Sequence, residues 1–265
     1  MSRLACVIPY YEGHSTIVRA LDSVLMSPVC DEVIVVSDGS LQPLRPLLKP
    51  SHLEFETSGR LRLVELVANS GQAAARNVGA ALARSPYLCF LDQDDESLPE
   101  FHSHALAILE QAAHLAAVEG EARVVWDADG QALINEADPR YRLMLASVPW
   151  NVVVRRTAFW TCGGFPIGQA FRSEAAGEDI AFKTALRMGF ATHSISTVSV
   201  CHRVRPGSAT DRFLRRTFVD HAGHVQFRSR YAVEENGTLA AAMEVHVKQA
   251  LRNRQSMASL LGRSS

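Results

Sequence analysis

The sequence predicts an α/β chain, a mostly parallel sheet flanked by helices and followed by a helical C-terminal tail. Three observations carry this. Short apolar runs of strand length alternate with helix-period segments through the first half, a polar cluster follows each of four such runs, and beyond Pro206-Gly207 helical spacing takes over. Repeated β-α-β units of this kind build a parallel sheet with helices on both faces.

Taken in order, LACVI (4–8) reads as the first strand, and Ile17, Val18, Leu21, Val24 and Leu25 recur at helical spacing after Ser15. EVIVV (32–36), a proline-rich loop and LRLVEL (61–66) follow, then a helix over AAARNVGAALA (73–83) and a strand at YLCFL (87–91). Ser97-Leu98-Pro99-Glu100 has capping-box spacing with proline in the first turn, which predicts a helix opened by Ser97 and running through Leu109 to Val118. EARVVW (121–126) and residues 150–154 read as strands, 178–188 as a helix closed by Gly189, and 195–201 as a further strand. Arg212, Arg215 and Arg216 then fall at helical neighbour spacing.

The bulk numbers fit one large domain or one domain plus a tail, and the change to helical spacing at Pro206-Gly207 divides the chain into a domain over 1–205 and an extension over 206–265. At 265 residues, 47% apolar and 21% charged, the chain can bury a full core and is not of disordered type. The five cysteines are an odd number without a CxxC pair, and Cys6 and Cys89 lie inside apolar runs, which suits a reducing compartment. The run LACVIP starts without a basic leader, and no uncharged stretch reaches the length of a membrane span. A cytoplasmic protein is expected, at most peripheral at the inner face of a membrane. From Arg203 onward there are 11 Lys+Arg against 5 Asp+Glu, leaving 16 of the 27 and 23 of the 28 to the body. A basic tail on an acidic body implies an anionic membrane or phosphate-bearing partner there, or a helical face that is solvated or packs on the body or a second copy in a homo-oligomer. No nucleic-acid partner is expected.

In open parallel sheets ligands sit beyond the carboxyl ends of the strands, and the polar clusters fall there: Pro9-Tyr10-Tyr11-Glu12, Ser37-Asp38-Gly39-Ser40, Asn69-Ser70-Gly71-Gln72 and Asp92-Gln93-Asp94-Asp95. Three carboxylates within four residues repel one another, and a strand end tolerates them only with a cation. Hard oxygen donors suit Mg²⁺ or Mn²⁺, which keep waters and bridge to substrate phosphates. The alternative, aspartates capping the next helix, is disfavoured because Ser97 supplies that cap. Glu178 and Asp179 open a helix, where acids complement the dipole or serve as a general base. His202, followed by Arg203 and Arg205, is either structural or a metal ligand. Arg76 is either an anion contact at a helix N-terminus or a surface charge.

The order and wording of VIPYYE (7–12), EVIVVSDGS (32–40), NSGQAAARNVGA (69–80), YLCFLDQDDESLP (87–99), VVVRRTAFWTCGGF (152–165), GEDIAFKTALRMGF (177–190) and His202 resemble glycosyltransferase family 2, the inverting enzymes with the A-type glycosyltransferase fold. The resemblance covers about the first 205 residues. It implies that Pro9 and Tyr11 line a nucleobase pocket, that Asp38 accepts from the base, uracil for a UDP-sugar, and that Arg76 lies near the nucleotide. It makes Asp92 and Asp94 a DxD element, with Asp94 at the metal and Asp92 nearer the ribose or sugar. His202 becomes a further metal ligand, Asp179 the catalytic base, and Gly163 and Gly164 a close approach to the donor sugar. The implied reaction is transfer of a sugar from a nucleotide sugar to an acceptor hydroxyl, with Mn²⁺ or Mg²⁺. Two departures stand out: Glu12 where the family often has asparagine, and Ser37-Asp38 where it often has two aspartates. A nucleotidyltransferase would need a glycine-rich basic loop after the first strand, a hydride-transferring enzyme a GxGxxG there, and a non-catalytic sugar-nucleotide-binding module would not need Asp94, Asp179 and His202 together.

Overall fold

A computed structural model describes residues 4–172, 177–228 and 233–261. The first half is a β/α alternation: β1 (Leu4–Tyr10), α1 (Ile17–Leu25), β2 (Cys30–Ser37), α2 (Pro50–Thr57), β3 (Leu61–Glu65), α3 (Gln72–Leu82) and β4 (Tyr87–Phe90). A short β5 (Glu96–Ser97) leads into α4 (Pro99–Gln111), β6 (Leu115–Trp126), β7 (Ala132–Ile134), α5 (Pro139–Ala146), β8 (Val152–Arg155) and α6 (Arg156–Thr161). Then come α7 (Glu178–Gly189), β9 (Ala191–Val204), α8 (Ala209–Arg216), a hairpin of β10 (Thr217–Val219) and β11 (Val225–Phe227), and α9 (Val233–Leu261).

The main sheet has the order β3-β2-β1-β4-β8-β6-β9-β5, with β7 beside β6. Its first half is parallel throughout, β2 with β3 and β1 with both β2 and β4. Beyond β4 it is mixed: β8 runs antiparallel to β4 and β6, while β9 is parallel to β6. The chain winds outward from β1 in both directions, so a crevice opens where β1 and β4 part at their carboxyl ends.

Period-2 alternation assigns β1 to two cores. Leu4, Cys6, Ile8 and Tyr10 pack with α1 and α4 on one face, and Ala5 and Val7 with α3, α6 and α7 on the other. The second face is tight: a Cβ at Gly79 would stand 2.3 Å from Val7 Cγ1, so glycine lets α3 lie close on β1. All five cysteines are buried and unpaired.

Two sequence expectations fail. Ser97 does not cap α4: it is a residue of β5, its Oγ meets His102 Nε2 at 3.3 Å, and the N-cap is Leu98, without a side-chain bond. The helix also stops at Gln111, because the alanine-rich stretch after it becomes the first part of β6, held between β8 and β9. Strand pairing overrides the helical propensity of alanine there. In the tail, α9 lies against α7, Arg215 pairs with Asp211, and Arg212 bonds the Gly207 carbonyl. No helix among the described residues is long and apolar enough to cross a membrane.

Candidate active site

Arg76 is the hub of the crevice. Sequence left it as an anion contact or a surface charge; it is a fully buried guanidinium pointing from α3 toward α7. Nη1 donates to Asp179 Oδ1 at 2.8 Å and stands 3.8 Å from Glu178 Oε1, while Nη2 donates to Asp92 Oδ1 at 2.6 Å. The Phe165 ring lies 5.3 Å from the guanidinium carbon. Burial opposes the charge, but Asp179, Asp92 and Glu178 outweigh it and raise the Arg76 pKa, so it stays protonated. One cation thus faces three carboxylates from two distant segments. Burial pushes the Asp179 carboxyl well up, aided by Glu178 and Asp92 and opposed by Arg76.

Gly164, expected with Gly163 to approach a donor sugar, lies close against α3. A Cβ at Gly164 (φ 67°) would stand 2.7 Å from Asn77 Oδ1. Asn77 reaches over that glycine to accept from the Phe165 N–H at 2.9 Å and donate to its carbonyl at 2.7 Å. Gly164 lets α3 grip the loop that carries Phe165 beneath Arg76, while Gly163 faces His246 of α9.

The loop after β4 divides its four residues among four tasks. Asp92 takes Arg76. Gln93, to which sequence assigned nothing, pairs its amide with the backbone of Tyr11, accepting from its N–H at 2.8 Å and donating to its carbonyl at 3.0 Å. Asp94 accepts from Arg205, and burial together with Asp95 and Asp92 pushes its pKa up to about 6, against Arg205 and His202. Asp95 is completely buried and accepts from the Arg203 N–H at 2.9 Å and from His202 Nδ1 at 2.8 Å. His202 Nε2 meets Thr210 Oγ1 at 2.8 Å, and the ring stacks on Trp150 with centroids 5.1 Å apart. Burial disfavours the imidazolium, yet Asp95, with Asp92 and Asp94, raises the His202 pKa.

At the ends of β1 and β2, Pro9 is buried within the strand and the Tyr11 ring is 47% exposed at the crevice mouth. Asp38 is turned inward, its two oxygens accepting from the Ser70 and Gly71 N–H groups at 2.7 and 2.8 Å. It shapes the loop before α3, with a second lone pair on each oxygen still to give. Glu12 occupies the left-handed region at φ 49°, where asparagine is more at ease, which explains the residue common at this position in the resembled family. Its carboxylate accepts from the Leu41 N–H at 2.6 Å.

No group of three described His, Cys, Asp or Glu side chains is assembled to hold a metal. Mg²⁺ is commonly held by one or two carboxylates and completed by substrate phosphates, so such a group is not required. Asp94 fits that demand: an oxygen donor, 25% exposed, in a loop with more carboxylates than cations. His202 fits in its orientation, since Nδ1 on Asp95 fixes the ring and leaves Nε2 to a ligand, where Thr210 now stands.

Residues 5–125 match the family model described as Glycosyl transferase family 2. The succinoglycan biosynthesis protein ExoO of Rhizobium meliloti is 27% identical over 248 residues, 86% of this chain and 68% of its own length. The teichoic acid poly(glycerol phosphate) polymerase of Staphylococcus epidermidis is 32% identical over 97 residues, 36% of this chain but only 13% of the polymerase, so the chain matches a small part of that relative. The crystal structure of S. aureus TarS 1-349 in complex with UDP-GlcNAc superposes with a TM-score of 0.64 at 17% identity, over 94% of this chain and 70% of TarS 1-349. The sheet that winds outward from β1, with its crevice at the β1–β4 parting, is the A-type glycosyltransferase fold, and residues 5–125 of it are a glycosyltransferase family 2 domain.

Proposed function

We propose that the protein is an inverting, metal-dependent transferase that moves a sugar from a UDP-sugar to an acceptor hydroxyl in polysaccharide or glycoconjugate synthesis. The observation that carries the reading is the Arg76 bridge: one guanidinium holds Asp92 at 2.6 Å and Asp179 at 2.8 Å. The acid assigned to the donor and the acid assigned to the acceptor are therefore kept at fixed spacing. The names of ExoO and of the teichoic acid polymerase support the polysaccharide class, and the UDP-GlcNAc bound by TarS supports the donor.

In this reading the Tyr11 ring lies against the base, and Asp38 accepts the uracil ring N–H through a remaining lone pair. Asp94 and His202 Nε2 would hold Mn²⁺ or Mg²⁺, which would supply charge stabilisation to the leaving diphosphate. Asp179, its carboxyl pushed up by burial, accepts the acceptor's hydroxyl proton as the oxygen attacks the anomeric carbon from the face opposite the nucleotide. Arg76 keeps that carboxylate aimed.

The test is thermal shift and turnover. UDP with Mn²⁺ should raise the melting temperature, Asp94→Asn should remove the metal-dependent part of the shift, and excess chelator should stop transfer. Full activity in chelator would overturn the metal role. A larger shift with GDP or dTDP would overturn the uridine assignment alone.

A further inference from the structure

Among the described residues, the backbone pairing of β1 with β4 ends where the Leu91 N–H donates to the Val7 carbonyl at 3.1 Å. Past that point the strands part, and the Gln93 side chain crosses the gap. Its Oε1 accepts from the Tyr11 N–H at 2.8 Å, and its Nε2 donates to the Tyr11 carbonyl at 3.0 Å. The amide thereby imitates a neighbouring strand, across 82 residues of sequence. Gly13 makes room for it, since a Cβ there would stand 2.4 Å from Gln93 Cδ. The residue type follows from the task. A primary amide both accepts and donates from one planar end. A carboxylate could take the Tyr11 N–H but would repel its carbonyl, and an ammonium or guanidinium could serve the carbonyl alone. That accounts for a neutral residue inside the acidic run Asp92-Gln93-Asp94-Asp95.

Both ends of this bridge are anchored. On one side Arg76 holds Asp92 at 2.6 Å, and Arg19 Nη2 donates to the Asp94 carbonyl at 3.0 Å, so the chain is pinned before and after Gln93. On the other, the Glu12 N–H donates to Ser40 Oγ at 3.2 Å and the Glu12 carboxylate accepts from the Leu41 N–H, which ties the turn to the loop after β2. Tyr11 stands between these anchors with its ring 47% exposed, so its place is set through its backbone. We infer that Gln93 is a positioning residue, which fixes Tyr11 at the distance from the Asp92–Asp95 loop that a nucleotide must span. The inference rests on the transferase reading, in which the Tyr11 ring faces the base and Asp94 the metal, and it names what keeps those two ends in register. Gln93 acts through Tyr11 and needs no contact with the donor. Its gain is preorganisation: the loop is ordered before the nucleotide arrives.

Calorimetry with UDP and with inorganic diphosphate, each in the presence of Mn²⁺, reads the two ends separately. Gln93→Met keeps side-chain length against Gly13 and loses both hydrogen bonds, and Gln93→Ala loses the bulk as well. Each should weaken UDP binding by about 10-fold and leave diphosphate binding within about twofold of the parent. Tyr11→Ala should weaken UDP binding at least as much. The double variant Tyr11→Ala/Gln93→Met should bind UDP no more weakly than Tyr11→Ala alone, because Gln93 then has no ring to position. Melting curves report whether each variant is folded, and Gln93→Met carries the test if Gln93→Ala is not. Unchanged UDP affinity in folded Gln93→Met, equal losses for UDP and diphosphate, or additive losses in the double variant would each overturn the positioning role. A parent that binds diphosphate but not UDP would instead overturn the base-reading part of the transferase proposal beneath it.

Discussion

Helix α7 carries two buried charge clusters barely a turn apart, and they are built on opposite terms. Toward its middle, Lys183 and Arg187 meet Glu119 of β6. Lys183 Nζ donates to the Leu145 carbonyl at 2.6 Å and Asn151 Oδ1 at 2.7 Å and pairs with Glu119 at 2.9 Å, so all three of its protons are used. Arg187 donates to both Glu119 oxygens, at 2.8 and 2.6 Å. At the helix N-terminus, one Arg76 faces Asp92, Glu178 and Asp179, and both Glu178 Oε2 and Arg76 Nε lack hydrogen-bond partners among the described residues. The first cluster has carboxylate demand met and every donor satisfied, as a buried network must if it serves the fold. The second carries surplus negative charge and open valences, which is tolerable where a ligand completes it. Position on one helix does not distinguish them; hydrogen-bond accounting does.

Changing one residue in each cluster should break this contrast if it is false. Asp179→Asn should lower turnover by about 10²–10⁴-fold while leaving nucleotide affinity and melting temperature close to the parent. Turnover within a few-fold of the parent would remove Asp179 from the chemistry and reduce it to a helix-terminal acid. Lys183→Met should do the reverse. It leaves Asn151 Oδ1 and the Leu145 carbonyl without their donor and Glu119 with Arg187 alone, costing about 3 kcal/mol in chemical denaturation. Activity per folded molecule should change much less. Burial lowers the Lys183 pKa to about 8, below its unfolded value, so the protonated amine is held at a cost, and the parent's stability should rise, not fall, as pH climbs from about 8 toward 10.

A third, uncharged cluster sharpens the comparison through pH alone. His102 is buried between Ser97 and Ser27 hydroxyls at 3.3 and 3.1 Å, and burial lowers its pKa to about 4. The unfolded chain binds the proton more readily between pH 6.5 and 4. Stability is therefore complete above 6.5 and lost as pH falls through that window, by up to about 3 kcal/mol. Denaturation midpoints measured from pH 7 to 4 should show the slope, and His102→Asn should flatten it at a lower overall stability. An unchanged slope in that variant would move the acid sensitivity to one of the charged clusters.

Strands were legible where an apolar run ends in a turn, as at β1, β2 and β4, and so was the convergence of four polar loops, because strand ends dictate it. Helix α2 was hidden by a polar sequence whose single buried side chain is His52. The start of β6 was hidden by alanine, which fits a helix until neighbouring strands claim it. Among site residues, type and rough place were readable, but partners were not. Asp95 with His202 and Arg205 with Asp94 are more than 100 residues apart in sequence, and Gln93 with Tyr11 are 82 apart. Spacing rules cover turns and helix faces, not such pairings. From sequence Glu178 reads as a dipole-complementing acid or a general base, and only the three-dimensional count of donors among the described residues reveals its empty oxygen.

The Arg76 bridge has a consequence for how such a chain can diverge. A guanidinium that serves Asp92 on one loop and Glu178 and Asp179 at the start of α7 ties the histories of these segments together. Lysine cannot span two carboxylates with a planar fork, so even a charge-keeping replacement would release one of them. Drift in any of the four positions would have to be answered at the others before the lineage regained a working crevice. The outer loops and the hairpin carry no such debt, and new substrate preferences can arise there while the bridge stays fixed.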